Sequence, residues 1–285
     1  MPSLQAIKTR KETVLTIRKI TKAMELVAIS KIRRAREQHE RVLQYSDRIE
    51  AVFYNLETKI QDWNTIIRLA PTLPRLFIIV NSDVGMCGAY NANIIRLAKQ
   101  VVQPSDYVIL VGARGLRPLG QHFQAAQILQ TFSHIGDEPN YAIVDAMLEL
   151  IEPRLLGVAA LRSVHIIYTE FVNSITFVAT DLKIFPVSRR RLAQMVHNQV
   201  ASNAEFEPNP ETVLKLALPL YLGALIYARL ASAKVAEMSS RRLAMEKSSD
   251  NALEIVEHLN QQYNKIRQAS ITQEITEIIA GAQNE

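Results

Sequence analysis

The chain has 285 residues, 48% of them apolar, with a formal net charge of +5 and an isoelectric point near 9.3. That composition excludes a disordered or fibrous chain and suffices for one sizeable core or two modest ones. A single cysteine, Cys87, excludes an internal disulfide framework and fits a reducing compartment.

The N-terminal stretch MPSLQAIKTRKETV has basic residues but no apolar stretch of signal-peptide length, so synthesis and retention in the cytoplasm are expected. Neither glycine nor proline occurs between Pro2 and Pro71, nor any glycine or proline between Gly223 and Gly281, which predicts two long helices. In the first, Leu4, Ile7, Val14, Ile17, Met24 and Val27 recur at helical spacing as one apolar stripe. Fifty-odd residues at about 1.5 Å each make a rod of roughly 80 Å. The second repeats the pattern through Leu222, Ile226, Leu230, Leu253, Val256, Leu259 and Tyr263 to Ile271, Ile275, Ile278 and Ile279. Such stripes need a covering helix, so antiparallel pairing of the two ends is expected, with spacing too irregular for strict heptads. The segments expected are 1–58 and 209–285 for the helices and 73–195 for a compact middle.

The middle changes period. Segments 76–80, 107–112, 164–171 and 175–185 read as strands, and 90–103, 115–125 and 141–152 as helices. Alternation of strand and helix implies right-handed crossovers and a mostly parallel sheet, the last two strands forming an antiparallel hairpin. The longest apolar runs there are strand-sized, far short of the roughly 20 residues that cross a bilayer, so no direct bilayer insertion is expected.

Catalytic signatures are not found: no phosphate loop, no dinucleotide fingerprint, no nucleophile elbow and no zinc-protease motif. The six histidines lie in different elements without metal-ligand spacing. The loop NSDVGMCGAYN at 81–91 follows a strand and precedes a helix, a place where backbone N–H groups hold anions. A glycine-assisted tight connection is the competing reading of that loop. Residues 1–48 carry twelve basic and five acidic side chains, an excess larger than that of the whole chain. An apolar stripe runs beside those charges, which argues against nucleic acid; a solvated coil face accounts for part of them, and contact with acidic protein surfaces explains the excess better. No catalytic residue, cofactor or metal is expected. The closing helix tip around Ile275 is read either as coil seam or as an apolar end needing a partner's socket.

Three motifs carry a resemblance. KITKAMELVAISKIRRA (19–35), SDVGMCGAYN (82–91) and the stretch 248–282 resemble the N-terminal, central and C-terminal motifs of the gamma subunits of bacterial F-type ATP synthases. The resemblance implies an α/β chain: a long antiparallel coiled coil of terminal helices plus a central Rossmann-like domain. It implies a non-catalytic rotor shaft, coupling c-ring rotation to ATP synthesis or hydrolysis in an α3β3 hexamer, with epsilon beside the central domain. The place implied is peripheral, on the cytoplasmic face of the cell membrane. Partner contacts carry over to Lys22, Ala23 and Met24 facing the β subunits, and to Arg241, Gln268 and Thr272 near β loops. They carry over also to Gly85, Cys87 and Gly88 in the central loop, and to Glu207 within EFEP (205–208) beside the c-ring. The sequence departs from the family at Val84, where a basic residue is usual, and at Ala236, Met238 and Arg242. Those departures keep open an alternative, a gamma-like shaft of an F1-like motor that drives something other than an ion-translocating ring. A coiled-coil scaffold with an enzymatic head is a third reading, from a different class.

Overall fold

The computed structural model describes residues 3–59, 72–156, 161–186 and 207–282, which fall into two compact units. One comprises residues 1–28 and 241–285, the other 29–240. Helices α1 (Leu4–Lys59) and α5 (Pro210–Ala282) contribute to both.

In the first unit α1 and α5 run antiparallel, since α1 leaves it where α5 enters. Its buried positions recur in sevens: Ile7, Thr21 and Ala28 on α1, with Val14 half-buried between them. On α5 the sequence is Met245, Ala252 and Leu259, interleaved with Ser249, Val256 and the half-buried Tyr263. The same period continues in the second unit through Ala35, Val42, Ile49 and Leu56. The heptad is thus regular, contrary to the expectation from apolar spacing. It carries Lys11, Thr21, Glu25, His39 and Ser46 on its seam, and counting apolar residues alone misses it. Conversely Ile17 and Val27, expected on the covered stripe, are 47% and 54% exposed.

The second unit is built on a five-stranded sheet: β1 (Arg75–Val80), β2 (Tyr107–Val111), β3 (Ile128–Phe132), β4 (Ser163–Phe171) and β5 (Phe177–Phe185). Their order is β3-β2-β1-β4-β5, parallel except for the β4–β5 hairpin. Strand β3 is the element the sequence reading lacks. Its ILQTF is short, sits at an edge and exposes Gln130 and Thr131, so it has no apolar run to announce it. The helices between are α2 (Tyr90–Val101), α3 (Ala113–Gly120) and α4 (Tyr141–Leu156).

Both faces of the sheet are covered, which is why β1 reads as an apolar run rather than an alternation. Leu76, Ile78 and Val80 join Ile109, Val164, Ile166 and Tyr168 against α4 and the first half of α5. Phe77 and Ile79 join Val108, Leu110 and Ile167 against Ile94 and Ala98 of α2 and Leu119 of α3. Phe53 of α1 reaches into the first core and stacks on Tyr221 of α5, ring centroids 4.2 Å apart. A Cβ on Gly223 would meet the Tyr141 hydroxyl at 2.5 Å, so a glycine is what lets α5 lie this close to α4. This buried stretch also explains why α5 contains an 18-residue window of mean hydropathy 1.5, long and apolar enough to cross a membrane by composition. More than half of that window, 56%, lies inside the protein.

Candidate partner-contact surfaces

The central loop ends β1 and starts α2, and nearly every polar side chain in it is tied back to the chain. Asn91 Nδ2 donates to Ser82 Oγ at 2.7 Å and approaches Cys87 Sγ at 3.2 Å, while its Oδ1 accepts from the Ser82 amide at 3.0 Å. Ser82 Oγ donates to the Val84 carbonyl at 2.8 Å. Asp83 Oδ1 accepts from the amides of Ala113 and His134, both at 3.0 Å, and its Oδ2 from that of Ile135 at 2.8 Å. On the other side, Ser240 Oγ of α5 donates to the Cys87 carbonyl at 2.8 Å, and the Tyr90 hydroxyl to the Ala233 carbonyl at 3.2 Å.

Of the loop residues expected at a contact, Cys87 is buried among Tyr90 and Ala236, with Phe171 and Phe177 packed around them. Gly88 holds a positive φ of 58°, and Gly85 lies against the Arg114 guanidinium, whose Cζ stands 3.3 Å from where its Cβ would be. The large side chains the loop offers outward are Val84 and Met86, 54% and 55% exposed.

On α1, Lys22 Nζ grips both carboxylate oxygens of Glu25, at 3.0 and 2.9 Å. The lysine side chain is 57% exposed while the glutamate is buried. Ala23 is exposed and Met24 half-buried. Around them Ile17, Ile20, Leu26, Val27 and Ile29 are exposed, spread around the helix outside its seam and interspersed with basic side chains. On α5, Arg241 is buried, whereas Gln268 and Thr272 are exposed, the Thr272 hydroxyl donating to the Gln268 carbonyl at 2.9 Å. Ile271, Ile275, Ile278 and Ile279 lie between 47% and 71% exposed on one face of the helix end. Glu207 is exposed just ahead of α5; the remainder of the 205–208 motif, apart from Pro208, lies outside the described residues.

One constellation has the geometry of a nucleophilic relay. His165 Nδ1 lies 2.8 Å from Asp181 Oδ1, and Nε2 lies 3.0 Å from Ser163 Oγ. Ser163 is buried at the start of β4 and the imidazole lies against Phe77, centroids 4.8 Å apart, so a substrate carbonyl has no approach to the hydroxyl. Elsewhere His39, half-buried on α1, has its pKa lowered below the ordinary 6.5, first by burial and then by the positive charge of Arg229, with Glu40 opposing. Among the described residues no three His, Cys, Asp or Glu side chains converge as metal ligands would.

A family described as ATP synthase matches residues 3–284. The ATP synthase gamma chain of Mycoplasmopsis synoviae is 39% identical over 99% of both chains, and that of Mycoplasma mobile 37% identical over the full length of both. The chain belongs to the ATP synthase gamma chain family. The family reaches beyond the mycoplasmas: the gamma chain of Staphylococcus carnosus is 31% identical over 99% of each chain. In fold, a chain of the Euglena gracilis mitochondrial ATP synthase in an OSCP/F1/c-ring structure superposes with a TM-score of 0.70 at 18% identity, covering 98% of this chain and 93% of that one. A chain of the Tetrahymena thermophila central stalk and c-ring gives 0.59 at 24% identity, covering 81% and 99%.

For a gamma-family chain, the structure therefore divides the sequence-derived contact residues by exposure. Lys22, Ala23, Gln268, Thr272, Ile275 and Glu207 present surface, whereas Cys87 and Arg241 are enclosed. Sequence reasoning passed over Asp83, whose role depends on amides that are distant in sequence, and Asn91, which ties the loop to its own Ser82 and Cys87. It also passed over Met86, an exposed apolar side chain at a φ of 61°.

Proposed function

We propose that this chain is the central shaft of a rotary ATP synthase, turning inside a ring of three α and three β subunits and carrying torque to or from a c-ring. It catalyses nothing itself. The observation that carries the reading, together with family membership, is the set of exposed apolar residues of α1 among basic ones, with the isoleucine-bearing end of α5 as a second such surface. Apolar surface on this scale is stable only when a partner sleeve covers it. The basic excess suits acidic loops on that sleeve. Different shaft faces offer different contacts, so each β site would bind nucleotide with an affinity set by the face it meets, a coupling free energy carried by contacts. The enclosed Ser163 supports the non-catalytic role. Epsilon and the c-ring would meet the central unit around Val84, Met86 and Glu207, at the cytoplasmic face of the cell membrane.

Val84 favours a second reading. A valine stands where the resemblance expects a basic residue at the tip of the central loop, which suits a gamma-like shaft whose torque goes to something other than an ion-translocating ring. Affinity purification from native cells in mild detergent, with native mass spectrometry of the partners, tests both. Three α-like and three β-like subunits with epsilon and a c-ring per copy are expected. A hexamer without a ring supports the second reading, and absence of a hexamer refutes both.

A further inference from the structure

In open α/β sheets, ligands sit in the crevice beyond the carboxyl ends of the parallel strands. There glycines let backbone approach a phosphate and a helix N-terminus faces the anion. This chain has the same parts: a glycine-rich loop after β1, Gly112 after β2, and the N-terminus of α3. What approaches the glycines, however, is the chain's own backbone. A Cβ on Gly112 would stand 2.1 Å from the Asn81 carbonyl oxygen, and one on Gly115 only 2.3 Å from Asn81 Oδ1. The Arg114 amide donates to the Ser82 carbonyl at 3.0 Å, so α3 is pressed directly onto the end of β1. The negative charge that an N-terminus favours is also internal. The first turn of α3 has no acidic residue, and the Ala113 amide is instead met by Asp83 from the β1 loop. The same carboxylate takes the His134 and Ile135 amides after β3, so one side chain gathers the ends of three neighbouring strands.

We propose that Asp83 is a built-in anion: its carboxylate caps the N-terminus of α3 where an external anion would otherwise sit, ties together the chain leaving β1, β2 and β3, and thereby positions the exposed Val84–Met86 tip. The second half rests on the reading of that tip as a partner contact. Met86 holds the left-handed conformation, which its own side chain disfavours, so the tip's shape is imposed by its anchors rather than by local preference. Asp83, immediately before the tip, is the anchor that reaches furthest along the chain, to amides 30, 51 and 52 residues away. Asp83 is a positioning residue; it touches no substrate.

Hydrogen exchange on the full-length chain tests this with Asp83→Ala, Asp83→Asn and sodium formate, whose two oxygens reproduce the lost carboxylate. In Asp83→Ala, exchange of the Ala113, His134 and Ile135 amides is expected to rise by about tenfold or more. Formate should restore protection in that variant alone, where sodium chloride at equal ionic strength does not. A side chain needed only for packing would not respond to formate. Native exchange at all three amides in Asp83→Ala, or faster exchange that formate leaves untouched, overturns the proposal. Should Asp83→Ala fail to fold, Asp83→Asn carries the test. Its single acceptor oxygen predicts loss of protection on one side of the clamp only, and unchanged protection on both sides overturns the proposal. The contact reading fails separately. Unchanged capture of epsilon and the c-ring by a Val84→Asp/Met86→Asp chain refutes that reading and leaves the formate result standing.

Discussion

Replacing Phe53 by alanine is the most informative test of how α1 is fastened to the sheet. Phe53 is 1% exposed, among the largest fully buried side chains, and its ring stacks on Tyr221 at an interplanar angle of 20°. Truncation removes its transfer free energy and leaves a void that close-packed neighbours fill only partly, together about 3–5 kcal/mol. Of this, roughly 0.5–1.5 kcal/mol is specific to the ring pair and should appear as coupling in a double-mutant cycle with Tyr221→Leu. Urea unfolding followed by far-ultraviolet circular dichroism reads both quantities. The unit 29–240 should lose its cooperative transition at lower urea while the slope stays constant. A loss below about 1.5 kcal/mol, or additive single variants, would refute the claim that α1 and α5 share one core here.

Stability should fall as the medium is acidified. His39 has a folded pKa below its unfolded value of 6.5, so the unfolded chain binds the extra proton. The contribution is complete above the unfolded value and is lost as pH falls from there through the folded pKa, and His39→Gln should flatten the urea midpoint across that window. Asp106 is 2% exposed and accepts from Arg75 Nη2 at 2.6 Å, from Arg75 N at 3.0 Å and from Gln103 N at 2.8 Å. Asp106→Asn should therefore cost about 3 kcal/mol in chemical denaturation. Ile275→Asp with Ile278→Asp changes exposed positions and should leave stability within about 0.5 kcal/mol. The same pair should weaken assembly with α and β subunits in a pull-down, and unchanged assembly would remove the helix end from the proposed interface.

The apolar runs of β1, β2 and β4 and the missing helix breakers placed the strands and both rods, because burial on two faces and uninterrupted helix each leave a mark in composition. Strand β3 left none, being an edge strand whose Gln130 and Thr131 face solvent. The seam of α1 was obscured by Thr21, Glu25 and Ser46, which are buried but polar, while exposed Ile17 and Val27 drew attention to the wrong face. For the candidate contacts, motif matching named stretches of chain rather than exposed side chains. It could not tell that the thiol of Cys87 turns inward while Val84 and Met86 turn outward, because that depends on contacts with α5, where Ser240 bonds the Cys87 carbonyl and Ala236 packs beside it. Asp83 illustrates the limit most clearly: a single aspartate in a loop says nothing about three amides arriving from two other strands.

The polar seam of α1 also bears on how the chain is made. Helix α1 leaves the ribosome first, and the helix that covers it comes last, about 150 residues later. At roughly 5–20 residues per second that interval lasts about 8–30 s, during which the nascent rod has no mate. An all-leucine seam would spend it seeking any apolar neighbour, including another nascent copy of itself. Lys11, Thr21, Glu25, His39 and Ser46 along that seam make such early, mistaken pairings less favourable, at a modest cost to the finished coil.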